Sequence, residues 1–361
     1  HTSYSTAGAN VMVSAPAGEF GRYAPAMVTT DQMTCINGYS GFNGGSIAAW
    51  AAAYGEEFAA SQYPFNYPGH ADNASCNYTS TFNGTSSAAP NASGVVSLIL
   101  SANPDLTWRD VRHILASTST LIDADNAAVK LTVGEGEFVA HDGWIENSAG
   151  YNFNNLYGFG RADAGAAVSM AKSYDVALGE QVITQWNGVG SAVAEDALAL
   201  EIPDNNATGL TQEIEVTEEL SIEAMQFKFD VSNAEMSFGL SDGTQTSAGT
   251  DLAIEVTSPA GTRSVLLSSK QAMLYPAYST SIGFISGYVL KDAVMLSNAF
   301  YGESTKGTWT VRLLDTSANS YAFSKAPGNI FGGVITGITN NSSASILEGV
   351  SLRAFGHAGQ E

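Results

Sequence analysis

With 361 residues, 44% hydrophobic, and 37 glycines, the chain is long enough for two domains that each bury a core, and no apolar run reaches membrane-spanning length. Thirty-five acidic against fourteen basic residues give a formal net charge of −21; this argues against nucleic acid as a partner, because such binding rests on Lys and Arg, and suits a solvated acidic surface, cationic partners or calcium. Two cysteines, Cys35 and Cys76, are too few for a zinc site, and no histidine stands at ligand spacing.

No secretory signal opens the chain. Residues 1–31 read as strands: Val11, Met12 and Val13 form a short apolar run closed by Ser14-Ala15-Pro16-Ala17-Gly18, and Met27 to Asp31 form the next. The following stretch, 32–81, far exceeds an ordinary connection. Within it, Ser46 is placed to cap a helix that carries Ile47, Trp50, Tyr54 and Phe58 at spacings of three and four. Tyr63, Phe65, Tyr67 and Pro68 then suggest an irregular aromatic loop. If the protein is secreted, Cys35 and Cys76 pair and staple the base of this excursion; two free thiols are the alternative. The excursion shapes substrate entry or docks a partner, or it is a self-packed surface feature.

Phe82-Asn83-Gly84-Thr85-Ser86-Ser87-Ala88-Ala89-Pro90 reads as a turn opening a buried helix. Gly84 permits the tight bend. Thr85 is a good N-cap, which makes Ser86 the first helical residue, its N–H at the positive end of the helix dipole. That setting suits a nucleophile, because negative charge develops on a carbonyl oxygen beside it. A structural serine near the cap of an ordinary helix is the alternative. The helix runs to about Ser101 and ends at Asn103-Pro104-Asp105. The next starts at the N-cap Thr107, with Leu106 against Val111 as a staple and Val111, Ile114 and Leu115 as its buried stripe; His113, between apolar neighbours, reads as structural.

Residues 129–141 read as a hairpin around Gly134-Glu135-Gly136. After Tyr157-Gly158-Phe159-Gly160-Arg161-Ala162-Asp163-Ala164, Asp163 caps a helix running from Ala164 to about Ser173. Residues 176–200 carry few signals and read as a linker. Beyond them helix signals stop, and short alternating segments take over: Gln212–Val216, Ile222–Phe229, Asp251–Thr257, Arg263–Leu267, Trp309–Asp315 and Ile346–Gly356. Their spacing predicts a β-sandwich of about eight strands.

Several of these motifs together resemble a known family. Gly84-Thr85-Ser86-Ser87-Ala88-Ala89-Pro90 resembles the active-serine motif of subtilisin-like serine proteases, with Ser86 in the nucleophile's place. Ala102-Asn103-Pro104-Asp105-Leu106-Thr107-Trp108-Arg109-Asp110-Val111 is similar to the kexin and furin branch, and Tyr157 to Ala164 resembles the signature that closes the catalytic domain. Asp251–Thr262, Ser297–Glu303 and Gly307–Asp315 resemble the P domain that follows it. The resemblance implies the C-terminal portion of an α/β subtilisin-like catalytic domain over 1–175, with an insertion at about 32–81, the linker 176–200, and an all-β jelly-roll-like P domain over 201–361.

The resemblance also implies an activity. Ser86 Oγ would attack a scissile carbonyl while the Ser86 N–H contributes to the oxyanion hole. The family takes its base from a His-Gly-Thr motif, oriented by an Asp, and uses an Asn in the oxyanion hole. None of His1, His70, His113, His141 and His357 precedes Gly-Thr. The His, the Asp and the oxyanion Asn are therefore expected from a segment outside this sequence, which makes the missing N-terminal part of the catalytic domain the first expected partner. A propeptide or chaperone, a protein or peptide substrate cut after a basic residue, a secreted location and bound calcium are implied in the same way. The position matching a calcium-ligating glutamate of the furin branch is Thr6, so no metal ligand is assigned. The alternative from another class is a catalytically inert chain whose P domain and insertion form a binding or stabilising module.

Overall fold

The computed structural model describes residues 2, 4–21, 24–41, 45–236, 244–269, 277–325, 333–339 and 343–359; His1 lies outside them. Two compact units interleave along the chain. The first comprises His1–Thr6, Val13–Thr107 and Ala162–Ser173, the second Ala7–Met12, Trp108–Arg161 and Tyr174–Glu361. Segment 108–161, grouped with the preceding residues by its motifs, thus packs within the second unit.

In the first unit, Met27–Thr30 pairs antiparallel with Tyr78–Phe82, Met27 opposite Phe82 and Thr30 opposite Tyr78. The excursion therefore returns to the strand it left. Cys35 and Cys76 are joined, with their Cα atoms 4.9 Å apart. Its backbone is held by its own side chains. Asp31 accepts from the Tyr39 and Ser40 amides, each at 2.7 Å; Asn73 Nδ2 donates to the Tyr78 carbonyl at 2.8 Å; Asn66 Oδ1 accepts from the Ser80 amide at 2.8 Å. The single helix expected around Trp50 is two, Gly45–Tyr54 and Glu56–Gln62. Gly55 separates them at φ 93°, a conformation that glycine adopts without steric penalty. Trp50 still meets Phe58 across the break, their rings stacked 5.7 Å apart.

The helix Thr85–Ala102 follows. It packs with the helix Ala164–Lys172, whose N-cap Asp163 accepts from the Ala166 amide at 2.9 Å, as its sequence position predicts. Asn103 Nδ2 ties the two helix ends together through the Ala171 carbonyl at 3.1 Å.

The second unit is built on two antiparallel sheets. One orders Leu210–Val216, Gly307–Asp315, Leu252–Thr257 and Arg263–Leu267. The other orders Tyr288–Ser297, Ser221–Ser232, Ser345–His357 and Val182–Ile183, with Asn187–Gly190 and Leu200–Ile202 also on Ser345–His357. Their alternating residues meet in one core around Trp309, Phe227, Phe229 and Phe300, all fully buried. Residues 176–200, expected as a linker, thus contribute strands: Val182–Ile183 and Asn187–Gly190 lie against Ser345–His357. Their signal is weak because each paired run is only two to four residues long.

Tyr288–Ser297 has no counterpart among the predicted strands. Its alternation is broken by Lys291-Asp292, where Asp292 takes φ 49° and its amide donates to Asp230 at 2.7 Å, a local irregularity in the ladder. The predicted hairpin forms as Val129–Val133 and Gly136–His141.

The helix Trp108–Thr118 buries Val111, Ile114, Leu115 and Ala116. Its polar face is also committed. Arg109 meets the buried Glu223 at 2.5 Å, and His357 Nδ1 lies 2.8 Å from the same carboxylate. Arg112 donates to the Glu223 carbonyl at 3.3 Å and to Asn298 Oδ1 at 3.0 Å. No helix among the described residues is long and apolar enough to cross a membrane.

Candidate active site

The strand Tyr78–Phe82 delivers the chain to Asn83-Gly84, and the helix begins at Thr85. Gly84 itself is the N-cap, at φ 82° and ψ 175°, a region open essentially to glycine alone. A β-carbon on Gly84 would meet nothing closer than the Ser86 amide at 3.8 Å, so backbone conformation rather than crowding demands the glycine. Thr85, expected as the cap, is the first helical residue, because Gly84 already makes the turn and its carbonyl receives the Ser87 amide at 2.9 Å.

Ser86 therefore sits one residue further into the first turn, and its side chain is exposed. Among the described residues no hydrogen-bond partner is found for its amide or hydroxyl. An amide in that position is one of the orphan donors of a helix start, with the positive end of the dipole behind it. Pro90 cannot donate the helical bond that the Ser86 carbonyl would otherwise receive.

The turn is pinned by residues for which sequence reasoning assigned no role. Asn91 Nδ2 donates to the Pro16 carbonyl at 2.9 Å and to the Ser87 carbonyl at 3.1 Å, joining the Ser14–Gly18 turn to the helix. An amide side chain one turn beyond Ser87, in a run of small residues, was the available signal. Ser87 is buried, and its Oγ has no hydrogen-bond partner.

The helix is less buried than its composition predicts. Only Ser87 and Ile99 are buried along it, and Leu98 is 52% exposed. A helix apolar on every side normally lies inside a protein. The neighbouring strands likewise expose Val28, Tyr78 and Phe82.

The described histidines are engaged elsewhere. His70 Nδ1 accepts from the Asp72 amide at 3.2 Å and caps a short turn. His113 Nδ1 lies 3.0 Å from the Tyr301 hydroxyl, and burial holds its pKa below the ordinary value. His141 meets Asn126 at 2.8 Å and His357 meets Glu223. His113 is thus structural, as its apolar neighbours suggest. Among the described residues no three acidic, cysteine or histidine side chains form a ready metal cluster.

Residues 1–160 match the Subtilase family model, Peptidase_S8, and residues 242–324 match the Proprotein convertase P-domain. The chain carries a subtilase region joined to a convertase P-domain. It is 33% identical to the Aeromonas extracellular serine protease of Aeromonas sobria, over 99% of this chain and 53% of that protein. Neuroendocrine convertase 2 of Rattus norvegicus is 31% identical, over 66% of this chain and 31% of the relative. The crystal structure of the Aeromonas sobria serine protease with its chaperone superposes with a TM-score of 0.76 at 31% identity, over 99% of this chain and 55% of that one. The chain spans about half the length of these Aeromonas relatives. A mixed α/β chain with a sheet-rich C-terminal P-domain region is the fold class that its motifs implied.

Proposed function

We propose that this chain supplies the nucleophile half of a secreted subtilisin-like serine endopeptidase of the kexin type. The observation that carries the reading is Ser86: an exposed hydroxyl in the first turn of a helix, beside an amide with no partner among the described residues. Its Oγ would attack the scissile carbonyl, and its N–H would donate to the oxyanion that forms. The base, its orienting carboxylate and the oxyanion Asn would come from polypeptide outside this sequence, which is consistent with relatives nearly twice as long. That polypeptide would also cover the apolar face around Leu98 and Val28.

A protein or peptide is the substrate, cut after a basic residue if the kexin-type resemblance extends to specificity. A chaperone is a proposed partner, because a similar protease was crystallised with one. Calcium remains a proposal for the family-type sites, with no ligand assigned there. The second reading, an inert binding module, is favoured by the apolar surface of the excursion, where Met33, Ile36 and Tyr39 are each more than 60% exposed.

Intact mass and N-terminal sequencing of the native protein would show whether it extends upstream through a His-Gly-Thr motif. In that complete protein a fluorophosphonate should label Ser86, and Ser86→Ala should remain unlabelled. A folded, complete protein that takes up no label would favour the binding module.

A further inference from the structure

Among the described residues, Asn91 makes the only side-chain hydrogen bond between the Ser14–Gly18 turn and the helix Thr85–Ala102. Its Nδ2 donates to the Pro16 carbonyl at 2.9 Å and, one turn back along its own helix, to the Ser87 carbonyl at 3.1 Å. Hydroxyls stand in both segments and add nothing to the tie: Ser14 Oγ and Ser87 Oγ are buried without a hydrogen-bond partner.

The first turn of this helix needs such a tie. Pro90 has no N–H, so the Ser86 carbonyl lacks the bond that another residue at that position would give it. The Gly84 carbonyl is shared, receiving the Ser87 amide at 2.9 Å and the Ala88 amide at 3.4 Å. Ser87 follows Ser86 directly, so a bond that fixes the Ser87 carbonyl limits how far the Ser86 backbone, and with it Oγ, can shift. The residue type points the same way. Asn91 is flanked by Ala88, Ala89 and Ala92. Alanine is the best helix former, and asparagine a weaker one because its amide competes for backbone groups. Asparagine in this run lowers helix propensity and brings the donor that alanine lacks.

We propose that Asn91 is a positioning residue for the Ser86 nucleophile: its amide sets the first turn of the helix against the Ser14–Gly18 turn, and so sets the point from which Oγ attacks. The inference rests on the reading of Ser86 as the nucleophile. Asn91 acts through the Ser87 carbonyl and touches no reacting atom. A displacement of about 1 Å in a reacting group costs on the order of 100-fold in rate, so loss of the tie slows bond formation without changing how tightly a ligand is held.

The test uses the complete protease and a fluorophosphonate, whose phosphorus bonds to Oγ as fluoride leaves and the hydroxyl proton passes to the base. Labelling over a range of probe concentrations separates the rate at saturation from the half-saturating concentration. Asn91→Leu, close in volume and without the donor, should lower the saturating rate about 10- to 100-fold, with the half-saturating concentration and cooperative melting of the parent. A folded variant with the parent's saturating rate overturns the proposal, as does slower labelling that comes only from a higher half-saturating concentration. Should Asn91→Leu fail to fold, Asn91→Ala, which favours the helix, decides on the same readings; failure of both makes Asn91 a packing residue and overturns the proposal. A parent that takes up no label removes the Ser86 reading and this inference together, whereas a labelled parent with unaltered variants overturns this inference alone.

Discussion

Two helices separated by five residues of sequence, Thr85–Ala102 and Trp108–Thr118, are held in opposite ways. The first is built from small and apolar residues, yet it buries only Ser87 and Ile99, and its start is set by one glycine conformation and one asparagine side chain. The second buries its apolar stripe and commits its cations to named acceptors. The difference is the one expected if Ser86 is the nucleophile. A helix that must present a hydroxyl keeps its first turn open, whereas a helix that must hold a domain together spends both faces on contacts. Under the proposed function, the first helix serves chemistry and the second serves stability.

The largest expected effect is on chemistry. Ser86→Ala in the complete protease should lower kcat on the order of 10⁶-fold while leaving the melting temperature unchanged; a large loss of stability instead would make Ser86 a packing residue like those of the second helix. Next is the ion cluster. Glu223→Gln takes the buried charge partner from half-buried Arg109 and should destabilise the second unit by about 3 kcal/mol, read by denaturant unfolding. If it costs nothing, the second helix is held by its apolar stripe alone.

Acid should expose the same contrast. Burial raises the Glu223 carboxyl, but the hydrogen bonds of Arg109 and His357 outweigh it and leave the pKa below the ordinary 4.5. The folded carboxylate thus binds protons less readily than the unfolded one, and its contribution is lost as pH falls below 4.5 and through the folded value. His113, held below 6.5 by burial, acts in the same direction from pH 6.5 downward. The contributions of Glu223 and His113 should fall with acidification, while the buried Asp251 and Asp315, raised to about 8 and about 6 chiefly by burial, act in the opposite sense from pH 8 downward; Glu223→Gln should therefore change the melting profile of the second unit chiefly below pH 4.5.

Breaking the Cys35–Cys76 link releases a loop spanning 41 positions, worth about 4 kcal/mol in the chain-entropy account. Cys35→Ser with Cys76→Ser should loosen the excursion, measured as faster proteolysis between them, and leave melting of the second unit unchanged. The smallest effect is Gly84→Ala, about 1–3 kcal/mol of backbone strain, which should reduce fluorophosphonate labelling more than it reduces melting temperature.

Much of this architecture was readable in advance where a local rule suffices. Alternation placed Arg263–Leu267 at its observed bounds and the other predicted strands of the second unit within three residues of theirs, whereas the apolar run Val11–Val13 forms no strand. Asp163 announced its cap, and the Gly84–Pro90 string announced an open serine. What failed involved partners far away in sequence. Thr85 looked like a cap because its side chain is a good one, but the turn was already made by Gly84. Residues 182–190 looked like linker because a two-residue strand has no period; only the long strand Ser345–His357 defines them. Glu223 carried no signal for Arg109, 114 residues away, and Asp251 read simply as the start of a strand.

The sequence by itself determined the turn at Gly84 that opens the Ser86 helix, the two classes of secondary structure and the order in which they occur, because glycine conformation, capping and hydrophobic period act over a few residues. Only the tertiary structure decided that Trp108–Arg161 packs with the second unit, that Glu223 gathers Arg109 and His357, and that Asp251 and Asp315 lie buried. Each of these depends on sheet register and on exclusion of water, which no local stretch of chain encodes.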